Sequence, residues 1–424
     1  MPIEYLVTFL VVLLGLSLVA EPLGRLLRMP PVSLLILLGA GAAHVATLGF
    51  GLDTGLRAEN FHDLVVFGLL PLLVFDAAFK APCRALLANL GIVLFLATVG
   101  MLVTTTVSAV LLYVGIGHSS GFPWIAALLA GALLSATDPI AVVGQLRTLG
   151  APKRLEVLLE GESLFNDATA IVVFSVFLSI AITPSAGITA SGAFVDFLVM
   201  FCGGALVGMA LGAIAAAATV RCDDDVAGAA ITVTAAYGSF LIAESVLEVS
   251  GIMSVLGTGL LMSHVLEKGQ ARHERIDFLW SALAYVANGT VFLLMGATIT
   301  LAMFTERWLA MLIAIGAVFV ARWMTIHGGF ALMNLVVNRR VPFREQTVLV
   351  WGGLRGAVTL ALALALPTEL EYWWTIQSMA FGVVLFTLFV QAPTTPWLLR
   401  RLGIVAGSRP SSKQASGASG ASEG

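Results

Sequence analysis

Ala136-Thr137-Asp138-Pro139 and, a short way on, Gly161-Glu162-Ser163-Leu164-Phe165-Asn166-Asp167 put carboxylates, an amide and hydroxyls inside runs of Leu, Val, Ala and Ile. Each tract is flanked by apolar sequence of helix length. A carboxylate at membrane depth costs at least ~2.5–3.5 kcal/mol even on the lenient insertion scale. Several of them there imply a task that needs negative charge inside a bilayer, such as holding a cation or a proton.

The surrounding sequence supports that setting. The 424 residues are 59% hydrophobic and only 11% charged, with a mean hydropathy of +0.99. Soluble domains run near ~25% charged, so the composition predicts an all-α polytopic membrane protein without a soluble domain. The net charge of −3 says nothing about partners. Hydropathy gives about thirteen spans, each near the ~20 residues that a bilayer core requires. They fall at 5–20, 32–50, 64–79, 91–116, 124–146, 162–183, 193–220, 226–249, 252–266, 278–301, 308–337, 347–366 and 374–399.

Loop charge tests this count independently. Of the 22 Lys and Arg, only Arg57 and Arg307 lie in loops after even-numbered spans, and Arg322 and Arg355 lie within spans; all the others follow odd-numbered spans. By the positive-inside bias the C-terminus is cytoplasmic and the N-terminus outside. An error of one span would scramble that asymmetry. Glu4 and the lack of Lys or Arg before the first apolar run argue against a cleaved signal peptide. Cys83, Cys202 and Cys222 have no metal-ligand spacing, and structural disulfides are not expected. Residues 403–424 are rich in Gly, Ser and Ala and read as a disordered cytoplasmic tail behind a single membrane unit, 1–402.

The chain also carries a weak internal repeat. Span five is interrupted at Thr137-Asp138-Pro139 and span twelve at Gly352-Gly353-Leu354-Arg355-Gly356. Proline removes a backbone donor and glycine tolerates unwinding, so both helices are expected to open at mid-membrane. The two spans are seven apart in the count, an odd number, so the two helices run in opposite directions. That fits six spans, a linking span at 193–220 and six inverted spans, with helices five and twelve discontinuous and crossed. Crossed breaks bring positive N-terminal and negative C-terminal half-helix ends together. Asp138 beside the first and Arg355 beside the second would neutralise them, a structural role rather than ligation.

On the helix expected to start near Glu162, Ser163 and Asp167 are four residues apart, as are Glu162 and Asn166, so two adjoining stripes form. A carboxylate, an amide and a hydroxyl then face one small volume. Oxygen-only ligands suit a hard cation, with no thiol or imidazole to attract zinc or copper, and Thr137 could add a hydroxyl or a freed carbonyl. Arg322 is the natural partner for Glu162, as a structural ion pair. Asn166 reads either as a ligand or as a hydrogen-bonding neighbour of a carboxylate. Asp76, in span three, reads equally as part of the site or as a local pair with Lys80. Glu244 and His44 read as helix-packing or funnel-lining groups.

Ala136-Thr137-Asp138-Pro139-Ile140, Gly161-Glu162-Ser163-Leu164-Phe165-Asn166-Asp167-Ala168 and Gly352-Gly353-Leu354-Arg355-Gly356-Ala357 together resemble the monovalent cation/proton antiporter family. The resemblance is to the branch holding the NhaP-type and eukaryotic sodium/proton exchangers, and it covers essentially the whole membrane portion. It implies a homodimer in which a core (helices 4–6 and 11–13, 91–183 and 308–399) moves like an elevator against a dimerisation part (helices 1–3 and 8–10, 5–79 and 226–301). It implies Asp167 as the carrier of Na⁺ (or Li⁺) and H⁺ in alternation, with Ser163 and Thr137 as further Na⁺ ligands. Asn166 would be the Asn of the Asn-Asp pair typical of electroneutral members. Glu162 would pair with Arg322, and Arg355 with Asp138 would stabilise the crossed helices. Asp76 falls where relatives often carry a site glutamate, and its shorter side chain points to a bridging water. No cofactor, no nucleic acid and no partner besides lipid and a second copy are implied.

The corresponding mechanism is one-for-one exchange at a carboxylate that either a proton or a cation neutralises. Two alternatives stay open at this point. One is K⁺/H⁺ exchange, or a channel, on the same scaffold. The remote one is an intramembrane aspartyl protease using Asp138 and Asp167, a chemistry in which Ser163 and Asn166 would have no purpose. A zinc protease is excluded more firmly, because His273-Glu274 lacks the second histidine of that motif. Composition and the lack of targeting signals favour a bacterial inner membrane.

Overall fold

A computed structural model describes residues 11, 15–20, 22–24, 26, 31–50, 64–116, 122–183, 190–266, 270–336 and 341–405. Every regular element among them is helical. In chain order we label α1 (Pro31–Phe50), α2 (Leu70–Lys80), α3 (Leu90–Gly115), α4 (Trp124–Ser135), α5 (Ile140–Leu149), α6 (Lys153–Ile182) and α7 (Ala190–Arg221). There follow α8 (Asp225–Val246), α9 (Gly251–Leu266), α10 (Gln270–Thr298), α11 (Leu301–Val336), α12 (Phe343–Trp351), α13 (Ala357–Leu364) and α14 (Trp373–Arg401). Eight helices in the described residues are long and apolar enough to cross a membrane, and two shorter apolar ones accompany them. The protein is an all-α, multi-pass membrane protein. The expected first span is covered only in part. Arg57 and the tail beyond residue 405 lie outside the described residues.

Hydropathy misplaced two helix starts for one shared reason. The helix expected to start near Glu162 begins at Lys153, so Glu162 is two and a half turns inside it. The helix expected from 278 begins at Gln270. In both, the first turns carry charge (Lys153, Arg154 and Glu156; Arg272, His273, Glu274 and Arg275). A helix continues into the aqueous boundary wherever its side chains are soluble there, and an apolar window cannot register that extension. Ion pairs cover these ends: Arg147 of α5 bonds Glu156 and Glu160 of α6, while Arg272 and Arg275 of α10 bond Asp225 of α8.

Two sets of helices pack mainly among themselves. α1, α2, α8, α9 and α10 form one; α3, α4, α6, α11 and α14 form the other. α7 lies chiefly on α9. That contact is close because Gly208 faces the Ser254 carbonyl, which a Cβ would strike, and Thr258 Oγ1 donates to the Gly208 carbonyl at 3.0 Å. In lipid, where apolar burial drives little, such backbone approach and interhelical hydrogen bonding hold helices together. Where the two sets meet, α6 touches α2, α7 and α9, and α13 touches α10.

Candidate functional site

Both expected interruptions are present. α4 stops at Ser135 and α5 resumes at Ile140; α12 stops at Trp351 and α13 resumes at Ala357. The two breaks lie against each other, since the Asp138 N–H donates to the Leu354 carbonyl at 2.8 Å and Thr359 Oγ1 donates to the Ala136 carbonyl at 3.4 Å. Gly356 permits this approach, because a Cβ there would collide with the Asp138 carboxylate.

The charges at the breaks divide by helix polarity. Asp138 accepts from the Ile140 N–H at 3.1 Å, at the start of α5, and its carboxylate also faces the Ala357 amide at the start of α13. Arg355, 1% exposed, donates through Nε to the Leu134 carbonyl at the end of α4 and through Nη1 to the Gly353 carbonyl just past α12. An anion thus meets two helix N-termini, and a cation meets two C-terminal ends.

α6 runs unbroken past these breaks and presents its polar stripes to the first. Ser163 Oγ donates to the Thr137 carbonyl, and Asn166 Nδ2 donates to the Ser135 carbonyl at 3.0 Å and to Thr137 Oγ1 at 3.3 Å. The Thr137 amide faces the Asp167 carboxylate. Thr137, Ser163, Asn166 and Asp167 are therefore gathered at one point. Two oxygens there, Asp167 Oδ1 and Asn166 Oδ1, are sealed and have no hydrogen-bond partner among the described residues. Asp167 as a whole keeps partial exposure. A carboxylate oxygen and an amide oxygen without donors, beside hydroxyl and carbonyl oxygens, form a donor set that suits a hard cation.

Glu162 faces away from this point. Its two oxygens are both taken by Arg322, one by Nη1 and the other by Nη2 at 2.9 Å, and the residues are 1% and 5% exposed. Asp76 also stands apart. Lys80 Nζ is 2.6 Å from its Oδ1, and no hydrogen bond or ion pair joins it to Asp167 among the described residues. Glu244 accepts from the Gly251 N–H at 2.8 Å, a packing contact at the start of α9, and His44 lies on α1. Sequence reasoning missed two residues on α14. Thr387 Oγ1 brackets the Arg355 backbone, accepting from its N–H at 3.3 Å and lying 3.1 Å from its carbonyl. Gln391 and Trp351 exchange side chain-to-carbonyl bonds at 3.0 Å. The available signal was polarity within an oily span.

Residues 8–401 match the family profile described as sodium/hydrogen exchanger, transmembrane. The chain belongs to the sodium/hydrogen exchanger family. It is 35% identical to the Na⁺/H⁺ antiporter ApNhaP of Aphanothece halophytica over 95% of this chain and 76% of that protein. It is 33% identical to the low-affinity Na⁺/H⁺ antiporter NhaS1 of Synechocystis, over 94% and 75%. Among solved structures, the sodium proton antiporter MjNhaP1 of Methanocaldococcus jannaschii superposes with a TM-score of 0.82 at 22% identity, covering 95% of this chain and 99% of that one. That last likeness establishes a shared fold. Membership of an exchanger family sets aside the protease reading of Asp138 and Asp167.

Proposed function

We propose that this exchanger-family member trades Na⁺ for H⁺ across the membrane at one site centred on Asp167. The observation that carries the reading is the sealed, unpartnered Asp167 oxygen beside the Thr137 break. Around it the fixed charges are the carboxylates of Asp138, Glu162 and Asp167 and the guanidiniums of Arg322 and Arg355. This set is one negative charge in excess. A single proton or a single monovalent cation makes it neutral.

Neutrality is what allows the site to cross. A bare carboxylate pays the insertion cost of at least ~2.5–3.5 kcal/mol, whereas either occupied form does not. Exchange is then one Na⁺ (or Li⁺) for one H⁺ without net charge movement. Ser163 and Thr137 supply further Na⁺ oxygens. Asn166, held by Ser135 and Thr137, offers its Oδ1 or orders its neighbours. The alternation we assign to an elevator motion of the core (91–183 and 308–399), with its crossed helices, against a dimerisation part (5–79 and 226–301) of a homodimer, with 193–220 linking the halves. We assign the protein to a bacterial inner membrane, with the C-terminus on the cytoplasmic side and the N-terminus outside, from the loop-charge asymmetry.

The test is dissipation of a pH gradient in vesicles holding the purified protein, with Na⁺, Li⁺ and K⁺ added in turn, with and without an imposed voltage. Na⁺ and Li⁺ should collapse the gradient at voltage-independent rates, and K⁺ should not. A response to K⁺ alone would move the protein to K⁺/H⁺ exchange; current at fixed voltage would make it a channel. Rate against pH should be bell-shaped, because acid displaces Na⁺ from the carboxylate and alkali leaves no proton for the return step.

A further inference from the structure

Behind the α12–α13 break, on the side turned to α11 and α14, lies a cavity of about 10 Å³. Arg322, Gly353, Arg355, Thr387 and Gln391 line it together with apolar side chains that include Val383. Arg322 spends Nη1 and Nη2 on Glu162, and Nη2 also reaches the Leu349 carbonyl at 3.0 Å. Arg355 spends Nε and Nη1 on the Leu134 and Gly353 carbonyls. One nitrogen on each makes no hydrogen bond. Arg322 Nε and Arg355 Nη2 are sealed from solvent and have no acceptor among the described residues. A Cβ on Gly353 would come within 2.7 Å of Arg322 Nε, so this nitrogen faces the glycine floor of the cavity.

Two cationic nitrogens left unbonded at one small cavity require an acceptor there, because a buried charged donor without one is costly. The Thr387 hydroxyl is already engaged by the Arg355 backbone, and Gln391, whose Nε2 donates to the Trp351 carbonyl, accepts from neither arginine nitrogen through its Oε1. A space of this size takes about one water molecule and excludes phosphate, sulfate or a carboxylate. Charge then separates water from a halide. The neighbouring set already carries one excess negative charge, and a halide would deepen it inside the membrane, whereas water adds none.

We propose that this cavity is a binding site for one resident water, whose oxygen accepts from both Arg322 Nε and Arg355 Nη2. It bridges the arginine of α11 to the arginine of the break, and lies between two like charges that repel each other. Both guanidinium heads are thereby held in place behind Asp167. The claim concerns occupancy of the cavity and stands or falls independently of which cation is transported.

The full-length protein in lipid nanodiscs or crystals, at a resolution near 2 Å, should show one peak within ~2.7–3.2 Å of both nitrogens. No peak there overturns the proposal. Replacing chloride by bromide and collecting anomalous data should give no signal in the cavity; a bromide peak overturns it in favour of a halide. A second measurement uses Val383→Ile, which adds a methylene beside the cavity. Expelling a bonded water orphans two donors and should lower the melting temperature by about 2–4 °C. A dry cavity would be filled instead, and a raised melting temperature would overturn the proposal.

Discussion

Glu162 and Asp167 sit five residues apart on one helix, in one chemical class, and the protein treats them oppositely. Both oxygens of Glu162 are saturated by Arg322. Asp167 is offered the Thr137 amide but keeps one oxygen sealed and without a donor among the described residues. A buried carboxylate whose bonds are complete is part of the scaffold, because any change in its protonation breaks an ion pair. A buried carboxylate with a bond missing is free to take one ligand and release it. The difference arises from rotation about the helix: Glu162 is turned to Arg322 of α11, while Asp167 faces the open turn of the α4–α5 break.

The comparison breaks most sharply at Asp167 itself. Asp167→Asn keeps the shape, removes the titratable oxygen and should abolish Na⁺-driven proton flux in vesicles. It should not lower the melting temperature, since it relieves a buried charge instead of orphaning one. Persistent exchange in that variant would refute the site. Glu162→Gln should show the reverse pattern. It leaves Arg322 buried without its anion, a loss of about 3–5 kcal/mol, seen as a lower melting temperature and poor recovery of folded protein. Replacing both partners by apolar residues of similar volume should restore most of that stability. If Glu162→Gln were as stable as the parent, the division into scaffold and carrier would fail.

A smaller effect should separate ligation from scaffold inside the site. Ser163→Ala removes one oxygen and its bond to the Thr137 carbonyl. One hydrogen-bond-sized contribution, about 1–1.4 kcal/mol, corresponds to a roughly tenfold rise in the apparent KM for Na⁺. Maximal rate should change little. A fall in maximal rate with KM unchanged would assign Ser163 to holding the break and remove it from the ion.

Much of this layout could be read in advance, for identifiable reasons. Pro139 and the glycines at 352, 353 and 356 mark the breaks because each has a local backbone consequence that needs no knowledge of distant residues. Glu162 and Arg322 could be matched because each is an isolated charge in an oily span, and such charges seek one another. Helix ends were read less well, since the charged first turns of α6 and α10 look like loop to a hydropathy window. The roles of Thr387 and Gln391 were not legible. They depend on a π-helical turn at Thr387–Gln391 that registers α14 against the second break. Nothing in the composition of that segment announces such a turn, although π-bulges gather at functional sites.

Asp76 is where sequence and geometry leave two readings, and it carries the smallest expected effect. Its side chain is 14% exposed, and Lys80 one turn on is 38% exposed. An i,i+4 pair of that kind contributes only about 0.3–0.5 kcal/mol. A residue held mainly by its own helix should be nearly silent in transport. Asp76→Asn should therefore raise the apparent KM for Na⁺ by less than about threefold, since a contact through a bridging water is worth a fraction of a direct ionic one. Lys80→Met, which releases the carboxylate from its local partner, should change KM in the opposite sense if Asp76 reaches the ion at all. A tenfold or larger loss in Asp76→Asn would place a second carboxylate on the cation. The contrast between one free carboxylate and its saturated neighbours would then have to be redrawn around two.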